Sequence, residues 1–125
     1  KSNRYAVMKV LKGFGYAIKG ILVAVKEQLN LKIHLAAVVV VVVAGIYFEL
    51  DAIEWSVIFL TFGLVIVAEM LNTAMEYMVD FVSPQLHPMA GKIKDVAAGA
   101  VLIAAIVAIA VAVTIFGNKF FNQTL

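Results

Sequence analysis

The residues best suited to chemistry form a polar cluster at the end of an apolar segment. The stretch EMLNTAMEYMVD (residues 69–80) carries three carboxylates and an amide, and it follows WSVIFLTFGLVIVA, in which no residue is charged. At about 100° per residue on a helix, the polar residues share one face. This polar stripe consists of Glu69, Asn72, Thr73, Glu76 and Asp80. Because an ionised carboxylate beside hydrocarbon is costly, we expect the stripe to face protein or a partner subunit.

The chemistry that fits the stripe is binding of a cation together with an anion. Carboxylate and amide oxygens suit Mg²⁺, and Lys94, which should return to the same level, supplies an ammonium for phosphate. Glu69 is the least hydrated carboxylate and suits a general base. The alternative is a solvated helix end held by structural salt bridges, which is strongest for Asp80. Asp95 could likewise be a helix cap rather than a ligand contact.

The two histidines are weaker candidates. His34 is expected to be an interface residue rather than a ligand. His87 has no His, Cys or carboxylate at metal-ligand spacing, so packing in a turn is its expected role.

Composition indicates an all-α integral membrane protein of one domain. The 125 residues are 64% hydrophobic, with a mean hydropathy of +1.03, far above soluble domains. We predict a surface helix at about 5–27 and transmembrane helices at about 30–48, 53–82 and 92–117. The run of valines at 38–43 should be helical, since lipid requires backbone groups to be satisfied within the segment. The first apolar run comes late and is followed by acidic residues, so no cleavable signal peptide is expected.

The surface helix is amphipathic and cationic, which suits the membrane interface. Its glycines, Gly13, Gly15 and Gly20, predict breaks, because each weakens a helix by up to about 1 kcal/mol.

Basic residues predict the orientation. Seven of the ten precede the first apolar run, Lys92 and Lys94 lie in the second loop, and Lys119 stands alone on the other side. The positive-inside rule places the amino terminus and second loop in the cytoplasm and the carboxyl terminus outside, in a multi-pass membrane protein. A helix over 53–82 would span roughly 45 Å against a hydrocarbon core of about 30 Å. Glu69 should therefore lie just inside the cytoplasmic boundary, with Glu76 and Asp80 beyond it.

Small residues indicate close packing and assembly. Ala100, Ala104, Ala108 and Ala112 recur every four residues, which permits close helix contact in lipid. A closed symmetric oligomer is expected. No nucleotide-binding motif of known mechanism is present, and no nucleic-acid partner is predicted. Two rivals to an enzyme remain: a small proton or cation pathway with Glu69 as a relay, and a structural subunit in which Glu69→Gln changes nothing.

The stretch EMLNTAMEYMVDFVSPQLHPMAGKIKDVAAGAVL resembles the signature of the small prokaryotic lipid kinases, the diacylglycerol kinase and undecaprenol kinase family. KGFGYAIKGI, NLKIHLA and DAIEW also match in order, so the similarity covers almost the whole chain. The resemblance implies an amphipathic surface helix and three transmembrane helices, assembled as a homotrimer with sites shared between protomers. It also implies ATP as co-substrate, Mg²⁺ as cofactor and a location in the bacterial cell membrane.

The resemblance also implies roles for individual residues. Glu69 would take the proton of the lipid hydroxyl and Asn72 would orient the reacting groups. Glu76 would hold Mg²⁺, and ATP would be contacted by Lys94 and Asp95. The remaining implied contacts are to the nucleotide or the lipid: Lys9, Tyr16, Gln85, Leu86 and His87 for the nucleotide or headgroup, and Lys9, Trp55 and Ala98 for the lipid.

One position departs from the family. The second metal-binding glutamate, six residues before His34, is Gln28 here, with Glu27 beside it. Gln is a poorer Mg²⁺ ligand, and on a continuous helix Glu27 would be turned by about 100°. Either Glu27 replaces it through a local shift or activity is weakened. The sequence around Trp55 and the H-P turn looks like the Gram-positive branch, which favours undecaprenol over diacylglycerol as the lipid substrate.

Overall fold

The described part of the chain forms four helices, in the order predicted from the sequence. The computed structural model describes the backbone of residues 2–124 and the side chains of residues 2–122. The helices are α1 (Ser2–Glu27), α2 (Leu29–Tyr47), α3 (Ala52–Val82) and α4 (Pro88–Thr124). Within this part of the chain, three helices, α2, α3 and α4, are long and apolar enough to cross a membrane. The valine run lies inside α2, so the prediction of a helix rather than a strand is confirmed.

Helix α1 is continuous, and the predicted breaks at its glycines are wrong. Gly13, Gly15 and Gly20 all lie within the uninterrupted 26-residue helix. Breaking the helix would expose several unpaired backbone groups at each new end, which outweighs the modest penalty of each glycine. Ala24 is buried and Val25 is half-buried, and the other side chains of α1 are exposed.

The connection between α2 and α3 combines two local motifs. The Leu50 N–H donates to Gly45 O (3.1 Å) and the Glu49 N–H donates to Ile46 O (3.2 Å), which is the hydrogen-bond pattern of a Schellman motif. Glu49 occupies its left-handed position, with φ 54°. Asp51 then begins α3 with a capping box, in which its Oδ1 accepts from the Glu54 N–H at 2.8 Å. The Glu54 Oε1 accepts from the Asp51 N–H at 3.0 Å.

Gly45 permits a close approach between α2 and α3. A Cβ atom at this position would lie 2.6 Å from Trp55 Cη2 and 3.0 Å from Leu50 Cδ1. Trp55 in turn stacks on Phe59, with ring centroids 5.4 Å apart. Trp55 is therefore held between its own helix and the end of α2.

Helix α3 packs chiefly against α4, and α2 covers part of the remaining surface. Ile58 and Val65 of α3 and Ala104 of α4 are buried. Of the small residues predicted to pack closely, Ala104 is buried, Ala108 and Ala112 are half-buried, and Ala100 is exposed. An ion pair between Lys119 Nζ and Glu54 Oε1 (3.0 Å) joins the end of α4 to the start of α3.

The turn between α3 and α4 occupies residues 83–87, and α4 begins earlier than the predicted residue 92. Pro88 is the first residue of α4, where a missing N–H leaves no internal bond unmade. His87 precedes it, and its Nδ1 accepts from the Met89 N–H at 3.0 Å. His87 therefore caps α4. The alternative that Asp95 caps this helix is wrong, since Asp95 lies seven residues beyond its first residue.

Candidate functional site

The deep half of the polar stripe is buried, as its sequence predicts. Glu69 is 2% exposed, Asn72 7% and Thr73 3%. Glu76 is half-buried and Asp80 is exposed. The carboxylates thus become steadily more accessible toward the end of α3, so one face joins a dry interior to the water-accessible turn.

Hydrogen bonds along α3 fix the buried residues relative to one another. Thr73 Oγ1 donates to the Glu69 carbonyl oxygen at 3.0 Å, and Asn72 Nδ2 donates to Glu76 Oε1 at 3.2 Å. Asn72 Oδ1 is buried and has no partner among the described residues. A buried acceptor without a partner is rare and requires an explanation. A donor from a bound ligand would satisfy it.

His34 is the site residue that the sequence failed to indicate. Its Nε2 lies 3.8 Å from Glu69 Oε2, and its side chain is 23% exposed. The expectation that His34 is only an interface residue therefore missed this contact. The antiparallel register of α2 and α3 explains the contact between His34 and Glu69. His34 lies about 9 Å along the α2 direction from Gln28, and Glu69 lies about 12 Å along α3 from Tyr77. Because Gln28 contacts Tyr77, these steps bring His34 to the level of Glu69.

Glu27 and Gln28 meet Tyr77, a second residue that the sequence did not indicate. Tyr77 Oη donates to Glu27 Oε2, and Gln28 Nε2 donates to Tyr77 Oη at 3.4 Å. Gln28 has extended backbone angles (φ −107°, ψ 111°) between α1 and α2. The expected 100° offset between Glu27 and Gln28 assumed a continuous helix and is wrong, because the chain leaves the helix there. The side chains of Glu27 and Gln28 therefore both contact the hydroxyl of Tyr77, the residue that follows Glu76.

The residues between α1 and α2, together with those near Tyr77 on α3, fit a magnesium ion only in part. No cluster of three or more His, Cys, Asp or Glu suited to a metal occurs in the described part of the chain. However, Mg²⁺ is usually bound through one or two carboxylates, with substrate phosphates and waters completing its octahedron. Glu76, with Glu27 or Gln28, supplies hard oxygen donors of this kind, and the unpaired Asn72 Oδ1 adds a buried acceptor nearby. The donor set is therefore compatible with Mg²⁺ bridged to phosphates.

Within residues 2–122, Lys94 forms an ion pair with one of the three carboxylates of the stripe. Its Nζ lies 2.6 Å from Asp80 Oδ1, and no ion pair joins it to Glu69 or Glu76 within residues 2–122. Asp80 thus forms a salt bridge, which is the contact that the alternative interpretation assigned to it. This pair borders a cavity of about 370 Å³ at the α3–α4 turn. Gln85, Leu86 and His87, which the resemblance implies contact the nucleotide or headgroup, also line it.

The other predicted residues lie apart from Glu69. Lys9 and Tyr16 are exposed on α1, and neither forms a hydrogen bond or ion pair with the rest of the described chain. Trp55 lies fourteen residues before Glu69, or about 21 Å along α3. Ala98 and Asp95 are exposed on α4. One chain alone therefore unites Glu69, Asn72, Glu76 and His34, but it does not bring the α1 residues to them.

Comparison with known proteins identifies related sequences over nearly the whole chain. Residues 15–116 match the family described as prokaryotic diacylglycerol kinase. The undecaprenol kinase of Bacillus subtilis is 37% identical over 119 residues, covering 95% of this chain and 97% of that protein. The diacylglycerol kinase of Synechocystis is 44% identical, over 82% of this chain and 59% of its own length. That of Escherichia coli K12 is 32% identical, over 86% and 88%.

Proposed function

The chain belongs to the prokaryotic diacylglycerol kinase family, and we propose that it transfers the γ-phosphate of ATP to the hydroxyl of undecaprenol, giving undecaprenyl phosphate. The observation that carries the proposal is the buried stripe, in which Glu69 is 2% exposed while Asp80, eleven residues later, reaches the surface. A base in a dry environment beside a polar, accessible turn suits a reaction between a membrane lipid and a soluble phosphate donor.

The residues of the stripe take distinct parts in this reaction. Glu69 accepts the proton of the lipid hydroxyl as the lipid oxygen attacks the γ-phosphorus. Asn72 holds Glu76 through its Nδ2 and keeps Oδ1 available to a ligand donor. Lys94, whose Nζ donates a hydrogen bond to Asp80, binds phosphate through its ammonium group beside the α3–α4 turn. Phosphoryl transfer depends mainly on such positioning and charge stabilisation.

Magnesium is proposed as the metal. Glu76 and either Gln28 or Glu27 would hold it, and when bound it would neutralise charge developing on the ATP phosphates. Tyr77 places Glu27 and Gln28 at a single hydroxyl, which supports either residue as the second protein ligand.

A homotrimer with shared sites is proposed as the active form. Lys9 and Tyr16 are exposed and make no polar contact with the stripe of their own chain. Large apolar side chains on every helix are also exposed, among them Phe14 and Leu22 of α1. A neighbouring protomer would cover part of this surface and bring its α1 to the stripe. We further propose that the amino terminus and the α3–α4 turn face the cytoplasm of the bacterial cell, where ATP is available.

Undecaprenol is preferred over diacylglycerol as the lipid. The support is the 37% identity to an undecaprenol kinase over nearly the full length of both proteins and the likeness of the H-P turn to the Gram-positive branch. Diacylglycerol remains the alternative, since two of the relatives above are named diacylglycerol kinases.

The test is transfer of labelled γ-phosphate from ATP to each lipid in detergent micelles. We expect labelled undecaprenyl phosphate to form faster than labelled phosphatidic acid. Glu69→Gln should lower the rate by about 10²- to 10⁴-fold, the usual contribution of a general base. Glu49→Gln, which changes an exposed carboxylate between α2 and α3, is the matched control and should leave the rate unchanged. Absence of labelled product with both lipids would overturn the kinase assignment and favour the proton or cation pathway.

A further inference from the structure

Among residues 2–122, His34 is the ionisable side chain of another helix that lies within 4 Å of the Glu69 carboxylate. His34 Nε2 lies 3.8 Å from Glu69 Oε2, and no side chain in the described part of the chain donates a hydrogen bond to either carboxylate oxygen. On its own helix Glu69 is followed by Glu76, two turns away. On α4, the lysines Lys92 and Lys94 form no ion pair with it. His34 is therefore the group that can orient this base.

The surroundings of His34 offer little competition from water. His34 borders a cavity of about 280 Å³ between α2, α3 and α4, with walls formed by alanine, valine, isoleucine and phenylalanine side chains. The other polar residue there is Thr61, whose Oγ1 already donates to Val57 O at 2.7 Å. Water needs two to four polar partners to remain in such a cavity. The imidazole, rather than solvent, is thus available to the buried carboxylate.

We propose that His34 is a positioning residue for Glu69. The inference rests on the proposed kinase activity. His34 donates its Nε2–H to Glu69 Oε2, which leaves Oε1 directed toward the lipid hydroxyl. The separation of 3.8 Å shortens in the reacting complex, as catalytic contacts commonly do. The hydroxyl O–H bond breaks and its proton passes to Oε1. The lipid oxygen bonds to the γ-phosphorus, and the bond from that phosphorus to ADP breaks. His34 neither gains nor loses a proton.

In this proposal, position 34 requires a side chain that donates a hydrogen bond to Glu69, and a side chain of similar size without a donor is not enough. A carboxylate without a fixed partner can rotate about its terminal bond, and a misplacement of about 1 Å can lower a rate roughly 100-fold. A glutamine at position 34 retains an N–H donor on a side chain of similar reach. A leucine fills similar space but donates nothing. The two substitutions therefore separate donation from packing.

The experiment measures kcat and KM for His34→Leu, His34→Gln and the unchanged protein in micelles, with labelled ATP and undecaprenol. We expect His34→Leu to lower kcat about 10- to 100-fold with the KM for ATP unchanged, and His34→Gln to recover most of the loss. In a Glu69→Gln background, His34→Leu should cause no further decrease, because the two residues act as one unit. Thr114→Val, which removes an exposed hydroxyl on α4, is the control and should match the unchanged protein.

Two results would overturn the role of His34 while leaving the kinase intact: His34→Leu as active as the unchanged protein, or His34→Leu and His34→Gln equally impaired. A further decrease on adding His34→Leu to Glu69→Gln would also contradict it. An unchanged protein that labels neither lipid would instead remove the kinase assignment and this inference with it. Size-exclusion chromatography and circular dichroism of each variant separate loss of the fold from loss of positioning.

Discussion

The close approach at Gly45 makes a sharp prediction about stability. Replacing Gly45 with alanine adds a Cβ that would lie 2.6 Å from Trp55 Cη2 and 2.9 Å from Trp55 Cζ2. Carbon atoms in contact prefer about 3.5–4.0 Å, so the indole must retreat by roughly 1 Å. Trp55 is stacked on Phe59 at 5.4 Å, and Leu50 Cδ1 closes the other side at 3.0 Å from the new atom. The indole therefore cannot move without disturbing a neighbour.

Overpacking of this kind costs about 1–3 kcal/mol. We expect Gly45→Ala to lower the free energy of unfolding by that amount, measured by titrating the protein in mixed micelles from dodecyl maltoside to sodium dodecyl sulfate. Gly63→Ala is the matched control, since a Cβ there meets nothing within 4 Å, and it should be neutral or mildly stabilising.

A second substitution tests the cause. Trp55→Phe removes the two ring atoms that the added Cβ would meet, so its combination with Gly45→Ala should recover stability relative to the sum of the single changes. Strict additivity of the two substitutions, or a Gly45→Ala protein as stable as the unchanged one, would refute the packing argument.

Three further predictions concern other parts of the chain. Gln28→Glu should raise the rate of phosphoryl transfer, because a carboxylate is a better Mg²⁺ ligand than an amide; an unchanged or lower rate at saturating Mg²⁺, with Gln28→Asn as control, would count against this. The hydrogen bond from the Glu54 N–H holds the pKa of Asp51 below its usual value. The stabilisation is therefore present above the unfolded-state pKa and is lost as pH falls through the folded-state value. Asp51→Asn keeps a capping side chain but cannot ionise, so the decrease in unfolding temperature at acid pH should become smaller. An unaltered pH dependence of the unfolding temperature would contradict this prediction. Glu49→Gly should stabilise the protein by up to about 1 kcal/mol in the same unfolding titration, since the position has φ 54° and glycine adopts it without penalty; a loss of stability would show that the Glu49 side chain matters more than its backbone.

Local features of the protein could be predicted because they depend on neighbours in sequence. Hydrophobic runs and helix periodicity indicate the three membrane-spanning helices, and the spacing of Glu69, Asn72 and Thr73 places them on one buried face. The end of α3 follows from Pro84, which cannot continue the helix and disfavours helical backbone angles at Ser83. The glycines of α1 misled the prediction because propensity penalties of about 1 kcal/mol are smaller than the penalty of opening a long helix.

The amino-acid sequence by itself thus determined which segments are helical, which of them enter the membrane and which face of α3 carries the carboxylates. Only the tertiary structure decided that His34 meets Glu69 and that Tyr77 meets both Glu27 and Gln28. These residues are separated by 35 to 50 positions, and their contact depends on the antiparallel register of α2 and α3, set by the turn from Phe48 to Asp51 and by the contact at Gly45. No local propensity encodes that register, because it emerges from how whole helices pack.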